Sequence, residues 1–364
     1  MFGRGDTVKI RIGDIYIGGG SPVAVQSMTN TKTADAVSTS EQIKRLEKDG
    51  CDIARVAVPD MDAARAIASI KKQISIPLVA DIHFDYRLAL ASIEAGADKI
   101  RINPGNIGSI ERVRKVAAAA KERGIPIRIG VNGGSLEKTI LKKYGSPCAE
   151  ALVESVEGHV ALLEALDFGD ICISVKSSDV NTAVKAYRLL ACKYRYPLHI
   201  GLTEAGTYRS GTIKSCLALG ILLNDGIGDT IRVSLTGDPE EEVKVGGEVL
   251  TALGLRRKKM IDFVSCPTCG RTQIDLIGLA GAIEKELYEA ERAGAVKVPL
   301  KVAVMGCAVN GPGEASDADI GLAGGDGCVL VFEKGKTVGK LSGDTAEIAR
   351  AFTGRVLELC GGKV

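Results

Sequence analysis

The sequence predicts an α/β protein, a (β/α)8 TIM-type barrel followed by a smaller α+β domain. Two observations predict the barrel. Short β-branched runs alternate with helical patterns from Ser21 to about Leu255, and the alternation occurs eight times. Strands that alternate with helices pair in parallel, and eight such units in about 235 residues have the size of a closed barrel. An open doubly wound sheet is the alternative, and the eightfold count favours the barrel.

The predicted barrel elements follow one another along the chain. The strands are short apolar runs: Val23–Met28, Ile53–Val58, Pro77–Ile82, Lys99–Ile102, Ile125–Val131, Ile171–Val175, Leu198–Leu202 and Ile231–Leu235. The helices have apolar residues at helical spacing: Ser40–Asp49, Met61–Gln73, Arg87–Ala95, Ser109–Arg123, Ala149–Leu166, Asn181–Tyr194, Thr207–Leu223 and Glu240–Leu253.

The charge balance gives no reason to expect a nucleic-acid or membrane partner. Lys and Arg number 47 and Asp and Glu number 45 among 364 residues, a net charge of +2. The first ten residues contain Arg4, Asp6 and Lys9 and have no apolar core, so they do not resemble a signal peptide. No apolar run approaches the ~18 residues that a membrane span needs. We therefore expect a cytoplasmic protein.

Polar side chains are concentrated where the predicted strands end, which is where TIM barrels build their active sites. Five of them are cations with few acids beside them: Arg55, Arg101, Arg128, Lys176 and Arg232. Arginines in barrels also pair with carboxylates inside the strand layers. Five cations at one face nevertheless indicate a shared anion, and the planar guanidinium group suits the oxygens of a phosphate or diphosphate.

The character of the sequence changes after Leu255. A charged junction, residues 256–259, leads into a domain of about a hundred residues. Its predicted elements are helices and short strands: Ile274–Arg292, Lys301–Met305, Val329–Phe332, Thr337–Leu341 and Thr345–Leu359. We therefore predict two domains, residues 1–257 and residues 258–364.

Three cysteines of the second domain form a candidate metal site. Cys266 and Cys269 have the Cys-x-x-Cys spacing that binds zinc or an iron–sulfur cluster, and Cys307 lies in a glycine-rich loop after a strand. A zinc ribbon would need a second such pair, and a thioredoxin-type redox pair would need a different fold. Three thiolates leave one iron of a four-iron cluster for an exchangeable carboxylate, and Glu314 is the nearest acid. The cysteines therefore favour a cluster, with zinc as the alternative.

Ten segments, in the same order along the chain, resemble the 4-hydroxy-3-methylbut-2-enyl diphosphate synthases. They are QSMTNT (26–31), RVAVP (55–59), DIHF (81–84), RINPGN (101–106), RIGVNGGSL (128–136), SVKS (174–177), GLTEAG (201–206), RVSLTGD (232–238), SCPTCGR (265–271) and MGCAVNGPGE (305–314). The chain resembles the short bacterial form, because it has no room for the inserted domain of the plant type.

This resemblance implies a fold, a cofactor and a reaction. The family has a barrel and a C-terminal domain with a [4Fe-4S] cluster, whose ligands correspond to Cys266, Cys269, Cys307 and Glu314. Its reaction is the reductive ring opening of 2-C-methyl-D-erythritol 2,4-cyclodiphosphate to 4-hydroxy-3-methylbut-2-enyl diphosphate, in isoprenoid precursor synthesis. The family also implies a homodimer in which the cluster domain of one chain covers the barrel of its partner.

The resemblance and the residue chemistry together assign the site. The cyclic diphosphate would bind the five cations, helped by His83, Asn103, Asn132 and Ser234. Glu204 and Asp81 are the acids among the strand-end motifs, so we expect one of them to deliver the proton for C–O cleavage. Glu204 is the better candidate, because Asp81 has a second interpretation in which it only orients His83.

Electron transfer requires a donor from outside the chain. No Gly-x-Gly-x-x-Gly motif follows a predicted strand with an acid beyond it, so the sequence predicts reduced ferredoxin or flavodoxin as the partner. Two other functions remain open. One is a redox-inactive transferase similar to the pterin-binding synthases, with structural zinc in the second domain. The other is a non-enzymatic iron–sulfur carrier, which would have no use for five cations at a barrel mouth.

Overall fold

The computed structural model describes residues 1–256, 260–307, 315–325 and 327–361. The chain divides into two compact units, Met1–Arg256 and Arg257–Val364. The first unit is a parallel barrel, and the second contains a mixed sheet flanked by helices. None of the described helices combines the length and the apolar character that crossing a bilayer requires.

A short antiparallel hairpin, Ile10–Ile12 (β1) and Ile15–Ile17 (β2), precedes the barrel. The barrel strands are Ala24–Met28 (β3), Ile53–Ala57 (β4), Leu78–Asp81 (β5), Lys99–Ile102 (β6), Ile127–Asn132 (β7), Ile171–Lys176 (β8), His199–Ile200 (β9) and Thr230–Ile231 (β10). They are parallel and hydrogen-bonded in chain order from β3 to β8, and β10 pairs with both β3 and β9. A parallel bridge between Ile173 and Leu198 closes the ring. The predicted barrel is confirmed.

The helices of the first unit surround the strands. They are Ala36–Lys48 (α1), Met61–Lys71 (α2), Tyr86–Glu94 (α3), Pro104–Ile107 (α4), Ile110–Arg123 (α5), Lys138–Tyr144 (α6), Ala149–Glu164 (α7), Val180–Lys193 (α8), Tyr208–Asn224 (α9) and Pro239–Ala252 (α10). Several begin at an aspartate whose carboxylate accepts a backbone N–H of the first turn, which stabilises the helix start. Asp35, Asp60, Asp85 and Asp179 do this for α1, α2, α3 and α8.

The β1–β2 hairpin covers the end of the barrel at which the strands start. Its Ile10, Ile12 and Ile17 are buried in one apolar cluster with Ala24, Ile53, Val79 and Cys172, residues near the starts of four barrel strands. The sequence analysis did not predict this hairpin, because two strands of three residues are too short to show an alternating pattern. The hairpin closes the strand-start end of the barrel with an apolar layer, which we call the apolar floor.

The last two barrel strands are much shorter than predicted. The expected strand Leu198–Leu202 is reduced to β9, and Ile231–Leu235 is reduced to β10. Gly201 lies at the change in direction, with a φ of 153°, and a Cβ there would approach the carbonyl oxygen of Arg232 to 2.3 Å. The chain therefore leaves the regular ladder early and enters the mouth as irregular segments.

The second unit is built on a five-stranded sheet within its described residues. The strands are Ile261–Ser265 (β11), Leu300–Met305 (β12), Ile320–Gly324 (β13), Val329–Glu333 (β14) and Lys336–Leu341 (β15), in that order across the sheet. β11, β12 and β13 are parallel, and the other two pairings are antiparallel. The described long helices, Leu276–Arg292 (α11) and Thr345–Leu359 (α12), share an apolar core with the sheet. β11 and β13 were not predicted.

Candidate active site

The five predicted cations point into the barrel from five different strands or strand ends, and we call them the cation cluster. Arg55, Arg101, Arg128 and Lys176 are buried, and Arg232 is half-buried directly after β10. The register places Arg101 beside Arg128. Burial lowers the pKa of Arg55 well below its usual value, and Arg232, Arg128 and Arg101 lower it further while Asp81 opposes them. The structure therefore brings these cations together, as predicted.

Asp81 is the carboxylate at the centre of the cation cluster. Its oxygens lie 3.1 Å from Nη1 of Arg101, 3.8 Å from Nε of Arg55 and 3.6 Å from Nε2 of His83. Burial raises the pKa of Asp81, but Arg55, the His83 hydrogen bond and Arg101 outweigh burial and hold this pKa well below the usual range. The Asp81 carboxyl group is therefore ionised beside these cations.

The position of Arg101 depends on a glycine of the neighbouring strand, β7. Its Nη2 donates to the carbonyl oxygen of Gly130 at 3.1 Å. A Cβ on Gly130 would lie 2.3 Å from Nε of Arg101, so a larger residue there would displace the guanidinium group. The glycine in the motif RIGVN thus provides the space in which Arg101 lies.

Arg232 has an acidic partner that the sequence analysis missed. Glu242 of α10 is buried and lies 3.3 Å from Nη2 of Arg232. It also accepts from the hydroxyl group of Ser27 at 3.2 Å and from the backbone N–H of Leu235 at 2.9 Å. Glu242 belongs to a run of three glutamates at the start of α10, and the run alone does not reveal which one is buried.

Arg128 is the cation with the most unused hydrogen-bonding capacity. It is 1% exposed, and its Nε and Nη1 have no hydrogen-bond partner among the described residues. Burial and then the charge of Arg101 lower its pKa to about 10. Burial and then the charges of Arg232 and Arg55 lower the pKa of Lys176 well below its usual value. Buried donors without partners are rare in folded proteins, so the Arg128 side chain favours an anionic ligand.

The predicted helper residues lie around the same mouth. Asn103 is buried and its side-chain oxygen accepts the N–H of Gly105 at 3.1 Å, which caps α4. Asn132 ends β7 and Ser234 follows β10, and both are half-buried. The His83 side chain is 55% exposed beside Asp81. Each is therefore close to a strand end, as the strand-end motifs indicate.

Glu204 differs from Asp81 in its surroundings and in its backbone. It is exposed, and its φ of 53° lies in the left-handed region that non-glycine residues rarely adopt. Such a conformation costs about 1–3 kcal/mol and is concentrated at functional sites. The loop after β9 therefore holds the backbone of Glu204 in a strained conformation at the carboxyl end of the barrel strands.

The other two histidines lie inside the barrel unit. His199 is fully buried with Nδ1 2.8 Å from the Thr230 hydroxyl oxygen, and burial followed by the charge of Arg128 lowers its pKa well below the usual value. His159 of α7 lies with Nε2 3.0 Å from a carboxylate oxygen of Glu137. Each ring therefore lies beside one polar side chain, although neither Nε2 atom makes a hydrogen bond with the described residues.

Cys266 and Cys307 lie at one edge of the sheet in the second unit. Cys266 directly follows β11, and Cys307 lies two residues after the end of β12. The two strands are parallel, and Ser265 at the end of β11 pairs with Val304 of β12. The backbone N–H of Gly306 donates to Sγ of Cys266 at 3.1 Å. Such N–H···S bonds commonly accompany cysteines that ligate clusters.

Cys269 is exposed, and a backbone hydrogen bond from Arg271 lowers its pKa, which favours the thiolate form. The chemistry of these three sulfur donors fits an iron–sulfur cluster. Within the described ranges, no three His, Cys, Asp or Glu side chains are gathered closely enough to hold a metal ion. Glu314, the fourth predicted ligand, lies outside the described residues.

Family comparison identifies both units. Residues 7–247 match the GcpE TIM-barrel domain, and residues 262–356 match the GcpE protein C-terminal domain. The chain belongs to the GcpE family. The family resemblance inferred from the sequence motifs is confirmed.

Curated relatives in the GcpE family match almost the whole chain. A protein from Caldanaerobacter subterraneus subsp. tengcongensis, named 4-hydroxy-3-methylbut-2-en-1-yl diphosphate synthase (flavodoxin), is 63% identical over 330 residues, which are 91% of each chain. A protein of the same name from Geobacter sulfurreducens is 57% identical over 360 residues, 99% of each chain.

A solved structure with a similar barrel is more distant from this GcpE family chain. The type I 3-dehydroquinate dehydratase from Clostridium difficile has a TM-score of 0.50 and 16% identity, and the match covers 68% of this chain and 98% of that one. This likeness concerns the barrel fold alone.

Proposed function

We propose that the chain catalyses the reductive ring opening of 2-C-methyl-D-erythritol 2,4-cyclodiphosphate to 4-hydroxy-3-methylbut-2-enyl diphosphate. The observation that carries this proposal is the identity of 57–63% to relatives named as that synthase, over more than nine tenths of the chain. The cation cluster supports it, because it supplies buried donors for a diphosphate. Two electrons and two protons enter for each cyclic diphosphate, and one water leaves.

The barrel unit binds and polarises the substrate in this proposal. The cation cluster holds the two phosphate groups, and His83, Asn103, Asn132 and Ser234 complete the site from the strand ends. Breaking the C–O bond of the ring frees a phosphate oxygen with a new negative charge. Positioned guanidinium groups stabilise that charge as it develops, in a site that largely excludes water.

Glu204 is the proposed proton donor, and Asp81 is the proposed orienting anion. The low pKa of Asp81 argues against proton delivery from it, since its proton is absent throughout the physiological pH range. Glu204, in contrast, is exposed in the loop after β9. The protonated carboxyl group of Glu204 would donate to the oxygen that leaves as water.

The second unit is the proposed cofactor domain. Cys266, Cys269, Cys307 and Glu314 would hold a [4Fe-4S] cluster, and the chemistry that such a group would supply is one-electron reduction. The name of these relatives includes flavodoxin, so we propose reduced flavodoxin as the electron donor, with ferredoxin as the alternative.

The chain is proposed to act as a homodimer in which the cluster domain of one protomer covers the barrel of its partner. One surface of α9 supports an interface between protomers. Ile213, Leu217 and Ile221 recur every four residues and are 55%, 54% and 39% exposed. Side chains at this spacing form one helix face, and an exposed apolar face of this kind is typical of an interaction surface.

One anaerobic experiment tests the function. Protein purified without oxygen is analysed for iron and acid-labile sulfide and is then given the cyclic diphosphate with reduced flavodoxin. We expect about four irons per chain and formation of the open diphosphate, detected by mass spectrometry. Bound zinc without sulfide, together with no product, would instead support the transferase function. A cluster without any affinity for the cyclic diphosphate would support the carrier function.

A further inference from the structure

A sixth cation is buried beneath the cation cluster. Lys99 is the first residue of β6 and precedes Arg101 by two residues, so both side chains point to the interior of the barrel. Lys99 therefore lies one layer nearer to the floor. It is 0% exposed, and its Nζ has no hydrogen-bond partner in the described part of the chain.

Neighbouring strands fill the equivalent place with apolar residues. Ile53 precedes Arg55 by two residues on β4, and Val79 precedes Asp81 by two residues on β5. The register pairs Val79 directly with Lys99. An apolar side chain would thus fill this space without burying a charge, which is expensive when no partner is present. Packing alone does not explain a lysine at this position.

The electrostatic surroundings of Lys99 are dominated by other cations. Burial lowers the pKa of Lys99 to about 8, Cys172 opposes this, and Arg128 and Arg55 lower the pKa further. His199, which has Lys99 among the cations that lower its own pKa, remains neutral. The hairpin below contributes Ile10, Ile12 and Ile17 to the apolar floor, and Ile15 packs against them. Among the described residues, Cys172, Arg128, Arg55 and His199 interact electrostatically with Lys99, and Arg101 lies two residues along the same strand. The carboxylate of Asp229 acts on Cys172 from the neighbouring part of the barrel.

We propose that Lys99 is a charge-compensating residue of the diphosphate site: it takes up a proton when the diphosphate binds and then supplies a sixth positive charge from beneath the cation cluster. Lys99 acts through the electrostatic field and through the placement of Arg128, so it is a positioning residue. This inference rests on the proposed function for the identity of the anion.

The charge balance of the site explains why proton uptake accompanies binding. Asp81 and Glu242 are the acids that the described structure places against the cation cluster. The empty site therefore has excess positive charge, which disfavours the protonated form of Lys99. The cyclic diphosphate brings two negative charges, and ring opening adds a third, so the bound anion favours protonation of Lys99 at each stage.

Calorimetric proton counting tests this proposal on the full, cluster-loaded protein without an electron donor, so that no turnover occurs. The protein is titrated at pH 8 and at pH 6.5 in buffers of different ionisation enthalpy. One titrant is the cyclic diphosphate and the other is inorganic diphosphate. The variants are Lys99→Met, which keeps the length of the side chain, and Lys99→Gln, which keeps a polar end. The matched control is Lys44→Met, on the exposed face of α1.

Wild type and Lys44→Met should take up about half a proton more per bound anion at pH 8 than Lys99→Met or Lys99→Gln. The difference should disappear at pH 6.5, where Lys99 is already protonated before binding. The affinity of wild type should fall as the pH rises above about 8, because binding then requires Lys99 to take a proton from a solution of lower proton concentration. Both Lys99 variants should lack this pH dependence. At pH 7 we expect the variants to bind about 10-fold more weakly, with kcat changed less than KM.

Equal proton counts in wild type and in both folded Lys99 variants would overturn the proposal, whatever happens to affinity, because a structural lysine would alter affinity without altering proton uptake. Binding of inorganic diphosphate with the expected proton difference, but no binding of the cyclic diphosphate, would support Lys99 and reject the proposed substrate. Wild-type protein that binds neither anion would reject both.

Discussion

At the scale of single residues, the barrel contains charged side chains with three different relations to their partners. Asp81 is surrounded by cations, Arg232 is paired with Glu242, and Arg128 has donors that find no partner among the described residues. A buried donor without a partner is stabilised most by a ligand, whereas one already paired gains less. The free energy of substrate binding should accordingly depend most on Arg128.

Arg128→Ala should weaken binding of the cyclic diphosphate by about 10- to 100-fold, since each charge-assisted contact is worth roughly 1.5–3 kcal/mol. Isothermal titration without an electron donor measures this change. Arg123→Ala, an exposed residue at the end of α5, is the matched control and should bind like wild type. The absorbance of the cluster should be the same in both variants. Unchanged affinity of Arg128→Ala would make this arginine a structural residue of the barrel layers.

Glu204 and Asp81 should respond differently to loss of charge. Glu204→Gln should lower kcat by about 100- to 10,000-fold with little change in affinity, because it removes a proton donor. Asp81→Asn should change KM more than kcat, because it releases Arg55 and Arg101 from their common anchor. Steady-state kinetics with reduced flavodoxin separates the two effects. If Asp81→Asn abolishes turnover while Glu204→Gln keeps it, the two roles are reversed.

At the scale of elements, the periodic parts of the fold were predictable and the short or irregular parts were not. The alternation of strand and helix patterns predicted the barrel because each element buries one face or both, which leaves a period in the sequence. The β1–β2 hairpin and the truncated β9 and β10 leave no such period. Their structure follows from tertiary packing and from the backbone conformation of Gly201.

The site shows the same division. The strand-end cations were predictable because the end of a barrel strand marks the active-site face. Glu242 was not predictable, because it is one of three consecutive glutamates on α10 and only the folded structure shows that it is the buried one. Lys99 was not, because a lysine at the start of an apolar run is more often a solvated strand end. The left-handed φ of Glu204 has no signal in the residue type at all.

The hairpin should contribute strongly to the stability of the barrel unit. Ile12 is 0% exposed in the cluster that covers the strand starts. Ile12→Ala should lower the free energy of unfolding by about 2–4 kcal/mol through lost burial and a cavity. Val37→Ala on α1, where the side chain is 61% exposed, is the control and should change it by less than about 0.5 kcal/mol. Urea unfolding followed by circular dichroism measures both, and equal effects would show that the hairpin is not part of the core.

At the scale of the whole molecule, the cations and the cysteine thiols of the candidate site belong to different units of the chain. The first unit contains the cation cluster that we propose binds the substrate, and the second contains the thiols that fit a cluster. Reduction of the bound substrate requires that a cluster approach the barrel mouth. The proposed homodimer meets this requirement by using the second unit of the partner protomer.

The apolar face of α9 gives a direct test of self-association. Leu217→Lys should shift the wild-type dimer towards monomer in sedimentation velocity, because it places a charge in the centre of an apolar contact. Leu253→Lys replaces an exposed leucine at the end of α10, away from that face, and should remain dimeric. Turnover should decrease with the dimer fraction only in the α9 variant. Wild-type protein that sediments as a monomer at micromolar concentration would contradict the dimer itself.

The closed floor of the barrel has a consequence for the order of events in each catalytic cycle. Since the hairpin blocks the strand-start end, product leaves by the route through which the next substrate arrives. The two ligands therefore exclude one another, and the product carries the additional negative charge that strengthens its attraction to the same cations. Departure of the product, rather than bond cleavage, is then expected to limit the steady-state rate, and moderate salt should accelerate turnover by screening that attraction.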